Sequence, residues 1–155
     1  MGNVRSKHEA NLREGLLGVV TDFVEFSSRG KADITCITPQ VRGILERSGL
    51  QEGTLTVFAP GATAAVTTIE FEEGVVQDLQ EVLEAIVPSA HDWQHNINNG
   101  DGNGHSHVRA GLVGPSLSIP FADAGLILGR WQEIVFCDFD ARPRERRVAV
   151  QVMGV

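Results

Sequence analysis

The residues best suited to chemistry lie close together at positions 96–109, Asn-Ile-Asn-Asn-Gly-Asp-Gly-Asn-Gly-His-Ser-His-Val-Arg. Polar residues and three glycines lead into His105-Ser106-His107, and an apolar run follows from Val108. Such a pattern predicts a shaped loop feeding a strand. On a strand His105 and His107 would share a face, about 6.6–7 Å apart along the chain. Two imidazoles at that spacing can converge on one small ion, and His95 upstream could supply a third. Catalytic zinc commonly takes three protein ligands and keeps a fourth position open. His95, His105 and His107 are therefore the candidate metal ligands. Glu70, at the end of an expected strand, and Asp101, inside the loop, are candidate general bases or further ligands. Asp92 and Asp138 are weaker candidates. The plain alternatives are a solvated carboxylate in each case, and for the histidines one exposed ring with the other bonded to a backbone carbonyl.

Several better-known motifs are excluded. Gly100, Gly102 and Gly104 do not form the G-x-G-x-x-G fingerprint, and no βαβ unit surrounds them. No Gly-Lys-Ser/Thr is present, so this is not a Walker loop. Asp101-x-Asn103 begins like a calcium loop, but Ser106 stands where glycine is required and Leu112 where the bidentate Glu should be. A cupin-type site also starts with H-x-H on a strand, but no His follows His107. The backbone amides of the loop could still cradle an anion. Residues 142–147 carry four arginines broken by Pro143 and Glu145, which reads as an exposed turn, one of whose arginines could grip a phosphate bidentately.

The elements that must position these residues follow from periodicity. Strands are expected at residues 16–26, 32–37, 55–59 and 62–69. Thr38-Pro39 looks like a helix start, with Thr as cap and Pro in the first turn, and Gly49 suits the stop; a helix is expected at 39–48. Val75, Val76, Leu79, Val82, Leu83, Ile86 and Val87 recur at helical spacing and end at Pro88, a second helix. Downstream of the loop the expected strands are 108–113, 117–121, 126–128, 131–139 and 147–153. Strands in succession without helices between them favour antiparallel pairing. The expectation is an α+β, β-rich fold: a mostly antiparallel two-sheet sandwich with two flanking helices. Trp131 is expected as a packed anchor, and Cys36 and Cys137 as small buried hydrophobes.

The chain has 155 residues, which predicts a single domain over 1–155 with a loosely ordered segment at 1–14. Its net charge of -7 disfavours bulk nucleic-acid binding, which needs a basic face. No secretory signal and no apolar run of membrane length is visible, so the expectation is a soluble, cytoplasmic protein with no membrane partner.

Taken in order, these segments resemble the YjbQ-like family, also called the secondary thiamine-phosphate synthase family. The matching pieces are Asp33-Ile34-Thr35, Ser48-Gly49-Leu50, Thr63-Ala64-Ala65-Val66, and His95 with the Asp101-to-His107 loop. Further on come Gly114-Pro115-Ser116-Leu117, Ile119-Pro120, Leu128-Gly129-Arg130-Trp131-Gln132 and Asp138-Phe139-Asp140. They span about residues 16–153. The resemblance implies a homotrimer with a polar site holding a divalent metal, zinc first, magnesium or manganese as alternatives. It implies His95, His105 and His107 as ligands, with Glu70, Asp101 and Asn103 in or beside the site. The activity it implies is thiamine phosphate synthesis, in which hydroxymethylpyrimidine diphosphate is joined to a thiazole phosphate and diphosphate leaves. Asn103, Arg109 and Arg130 would bind that small phosphorylated substrate, the two arginines steadying the departing charge. The alternative is a non-catalytic trimeric accessory protein that binds a metal or a phosphorylated ligand. Many members carry a His just before Thr-Ala-Ala, where this chain has Gly61-Ala62, and the usual Thr before Trp-Gln is Arg130 here.

Overall fold

The computed structural model describes residues 13–155. Of the segment expected to be loosely ordered, residues 1–12 lie outside the described residues; Arg13 is tied by ion pairs to Glu52, at 2.9 Å, and to Asp123.

Two antiparallel sheets form the frame. One holds β1 (Gly18–Ser28), β8 (Arg144–Gly154), β3 (Gly53–Phe58), β5 (Ser116–Ala122) and β6 (Gly125–Leu126), in that spatial order. The other holds β2 (Asp33–Cys36), β7 (Gln132–Asp138) and β4 (Ala64–Glu70). The main core lies between them. Leu55, Val57, Val148, Val150, Val152 and Phe121 face Val66, Ile134 and Phe136, and Val41, Ile44 and Leu45 of α1 (Thr38–Ser48) join the same cluster.

The three-stranded sheet is covered on its second face too. There Ile34, Ala65, Val135, Cys137 and Phe139 pack with Leu83 of α2 (Glu73–Ile86) and Ala110 of α4 (Gly104–Val113). Burial on both faces explains why β7 reads as the unbroken apolar run Ile134-Val135-Phe136-Cys137, whereas β8, with one face exposed, alternates.

The two expected helices form. Gly49 ends α1 in the left-handed conformation at φ 72°, but Thr38 does not cap it: its Oγ1 accepts the Ile134 amide at 2.7 Å. α2 is capped by the Glu72 side chain, which accepts the Val75 amide at 2.7 Å. The fold corrects the sequence reading in four places. The described residues hold two further helices, α3 (Gln94–Asn99) and α4, in place of the loop and the strand expected at 108–113. The apolar run misled there, because Val108 and Leu112 face solvent, while His105, Ser106, Arg109 and Ala110 are buried at helical spacing. Of residues 142–147, Arg144 to Arg147 belong to β8, and the turn is confined to the residues before them. Trp131 is not a packed anchor: it is 61% exposed, with the Arg130 guanidinium 4.8 Å above its ring. Cys137 is fully buried as expected, whereas Cys36 is only partly so.

Candidate functional site

α3 and α4 meet at a tight corner that their sequence dictates. Gly100 ends α3 with φ 70°. Gly104 opens α4, its amide donating to Asn96 Oδ1 at 2.8 Å, and a Cβ there would lie 2.7 Å from the Trp93 Cβ. Only glycine lets the two helices approach so closely. Trp93 is itself held by its indole N–H, which donates to the Pro88 carbonyl at 2.9 Å.

This corner brings His95 and His107 together, with ring centroids 4.5 Å apart. His107 Nδ1 lies 2.9 Å from the Ala62 carbonyl, just before β4. A carbonyl only accepts, so Nδ1 carries the proton and Nε2 presents a lone pair. His95 Nδ1 accepts from Asn99 Nδ2 at 3.1 Å, which places its proton on Nε2. That nitrogen lies 3.0 Å from Asp101 Oδ1 but out of hydrogen-bond alignment, so it is buried without a hydrogen-bond partner. Asn103 Oδ1 and His105 Nδ1 are likewise buried and unpartnered.

His105 does not join the pair. A helix turns about 100° per residue, so side chains two positions apart leave it about 200° apart, not on one face as on a strand. His105 and His107 therefore flank the buried Ser106, whose hydroxyl donates to the Phe139 carbonyl at 2.5 Å. Burial, followed by the charge of Arg109, holds His105 below its ordinary pKa of 6.5, against the opposite pull of Glu84 and Asp140.

The other expected residues fall into separate places. Arg109 is 3% exposed and faces away from the pair, giving Nε and Nη2 to the Val87 carbonyl at 3.0 and 2.7 Å and Nη2 to Glu84 at 2.5 Å. Glu70 ends β4 opposite Gln132, and Arg130 is exposed two residues before that partner. The six steps from Ala64 to Glu70 span roughly 20 Å of strand, so Glu70 and Arg130 stand at the far end of β4 from the histidines. Asp138 is fully buried and bonded to Arg146, with Nε to Oδ2 at 2.6 Å, while Asp92 is exposed. Among the described residues no group of three or more His, Cys, Asp or Glu side chains is spaced to hold a metal ion. The arrangement does not fit a three-histidine ion, since His105 lies on the other flank of α4. Sequence reasoning missed Trp93, Asn96 and the Ala62 carbonyl as positioning groups. No sequence signal marked them, because each acts through a contact made only when the elements pack together.

The fold and the corner define an α+β two-sheet domain with a half-buried histidine pair on two short helices. Solved structures share this architecture. A YbjQ-like protein of unknown function from Sulfolobus solfataricus P2 matches with a TM-score of 0.86 and 29% identity, covering 90% of this chain and 99% of that one. An uncharacterised conserved protein of the YjbQ/UPF0047 family from Clostridium acetobutylicum matches with a TM-score of 0.73 and 33% identity, over 82% and 97% of the two chains. In sequence, a UPF0047 protein of Methanothermobacter thermautotrophicus is 36% identical over 136 residues, 88% of this chain and 93% of that protein. The family model described as UPF0047 protein YjbQ-like matches residues 22–155, and the chain belongs to that family.

Proposed function

We propose that the chain is a small-molecule transferase of the thiamine phosphate synthase type, with its site at the α3–α4 corner. The supporting observation is the set of buried polar atoms left without partners there, His95 Nε2 and Asn103 Oδ1. An unsatisfied buried group costs about 1–3 kcal/mol, so a ligand that satisfies both is favoured. With His107 Nε2 they offer one N–H donor and two acceptors. That is the complement of a heteroaromatic ring bearing an exocyclic amino group.

In the proposed reaction a C–N bond forms to a thiazole nitrogen as the C–O bond to diphosphate breaks. The attacking nitrogen has no proton to lose, so the demand is on the departing charge rather than on a base. His95 keeps its proton on Nε2 and can donate a hydrogen bond from it to the departing diphosphate oxygen, where the negative charge gathers. With the Nε2 proton of His95 removed, a divalent ion, zinc ahead of magnesium or manganese, would be held by the Nε2 atoms of His95 and His107 and would supply Lewis acidity.

One observation favours a second reading, a binding protein without turnover: Glu70 and Arg130 lie too far away to act at the pair. The homotrimer belongs to the proposal as well. β1 is an edge strand with Val19 and Phe23 exposed, and Leu16 and Leu17 precede it, also exposed. An apolar edge of that kind is a common subunit contact.

The test is to incubate the protein with both phosphorylated substrates and a divalent metal, and to follow diphosphate release. Turnover in wild type and Glu70→Gln, lost in His95→Gln and His107→Ala, supports the transferase. Saturable binding of the pyrimidine without turnover supports the binding protein. Equal turnover in all four proteins overturns the assignment of the site.

A further inference from the structure

On the opposite flank of α4 from His107, a cavity of about 270 Å³ opens, lined by Lys31, Glu84, Ser89, His105, Arg109 and Ala141. Its charges are unevenly used. Both oxygens of Glu84 are committed. Oε1 accepts the amide and the hydroxyl of Ser89 at 2.8 and 2.9 Å, and Oε2 accepts from Arg109. Arg109 spends Nε and Nη2 on Val87 and Glu84, whereas Nη1 has no partner among the described residues. Lys31 pairs with no carboxylate among the described residues. Two permanent cations thus face one spent carboxylate.

Lys31 is held at this rim by an unusual turn. Gly30, Lys31 and Ala32 all have positive φ, at 70°, 57° and 62°, and the Lys31 amide donates to the Asp140 carbonyl at 2.7 Å. Successive left-handed residues other than glycine persist only where their surroundings over-determine them, and such strain gathers at ligand sites.

His105, 7% exposed, adds a specific demand. Since the Ser106 hydroxyl gives its proton to Phe139, its oxygen can only accept from His105 Nε2, 3.4 Å away. The remaining nitrogen, Nδ1, is then a buried acceptor with no donor. The cavity therefore combines free cationic donors with one acceptor that needs a hydroxyl.

The geometry points to a binding site here for a protonated phosphate anion, free phosphate or diphosphate, whose charged oxygens meet Arg109 and Lys31 and whose P–O–H donates to His105 Nδ1. Arg109 thereby binds phosphate in a cavity separate from the His95–His107 pair. The inference is independent of the transferase reading, since it uses neither histidine of that pair. Phosphate and diphosphate keep a hydroxyl at neutral pH, whereas sulfate has none, so the site discriminates between anions of nearly equal size.

The test is calorimetric titration of the full chain with phosphate, diphosphate and sulfate at pH 7.5 and fixed ionic strength. Wild type is compared with Lys31→Ala and His105→Phe, each checked by near-ultraviolet circular dichroism. Wild type should bind phosphate or diphosphate with Kd of about 1 mM or tighter, the tighter of the two naming the source. Sulfate should bind about tenfold more weakly, the loss of one hydrogen bond to a buried acceptor. Lys31→Ala should weaken all three anions about fivefold, a typical rim-charge effect, and His105→Phe should erase the phosphate–sulfate difference. If His105→Phe does not fold, His105→Asn, which keeps an acceptor near Nδ1, should retain the difference. No heat with phosphate or diphosphate, equal affinity for sulfate, or binding unchanged in both Lys31→Ala and the His105 variant would each overturn the inference.

Discussion

The rings of His95 and His107 stand 4.5 Å apart, His107 fixed by the Ala62 carbonyl and His95 by Asn99. Both tautomers are set by these partners. The pair therefore presents one donor and one acceptor side by side at the α3–α4 corner.

That relationship separates the two histidines of the H-x-H motif. In protein purified without a nickel column, elemental analysis of wild type should find about one divalent ion per chain if the corner binds metal. His107→Ala should abolish it and His105→Ala should retain it. Equal loss in both variants would restore the three-histidine ion that the helix argues against.

A second prediction concerns Asp138, buried at 0% exposure with Arg146 as its cation and Arg146 also donating to Thr63 at 3.2 Å. Arg146→Met should leave an uncompensated carboxylate and cost about 3–5 kcal/mol. The paired change Arg146→Met with Asp138→Leu should recover most of that loss. Urea unfolding measures both, and a loss below about 1 kcal/mol for the single variant would show the pair to be as weak as an exposed one.

Acid should weaken the fold through three carboxylates. Burial raises Asp33 and Asp140, but their bonds to Arg29 and Arg144 bring both below the ordinary 3.8. The Ser89 amide and then Arg109 bring Glu84 below 4.5. In each case the unfolded chain binds the proton more readily. The stabilisation is therefore fully present above these ordinary values and is lost as pH falls through the depressed ones. Unfolding free energy should begin to decline below about pH 6.5 through His105, held below that value by burial, and should fall more steeply below about pH 4.5 through the carboxylates. Arg144→Gln should flatten part of that decline, and an unchanged acid limb would remove Asp140 from the account.

The two thiols should differ in reactivity. Burial pushes Cys137 up to about 12, so little thiolate forms at neutral pH. Iodoacetamide should label the partly exposed Cys36 of the native protein and reach Cys137 only at the rate of unfolding. Mass spectrometry of partly labelled protein reads this directly. Early labelling of Cys137 would mean that β7 opens locally.

Much of the frame was legible because period and punctuation agree there. Thr38-Pro39 and Gly49 bracket α1, the apolar spacing from Val75 to Val87 marks α2, and the alternation along β8 marks a half-buried strand. The chemistry-bearing residues were legible too, since His95, Asp101, Asn103, His105 and His107 gather three of the chain's five histidines within one short polar stretch. Their conformation was not. Val108 and Leu112 suggest a strand, and only the packing of Ser106 and Ala110 against β7 and β4 makes the segment a helix. That change sends His105 and His107 to opposite flanks. The sequence by itself determined which side chains are present and the period of the long elements, because these are local properties. The tertiary structure decided that His95 meets His107 and that Arg109 turns to Val87. It also set Glu70 at the far end of β4, because those relations depend on which elements pack together.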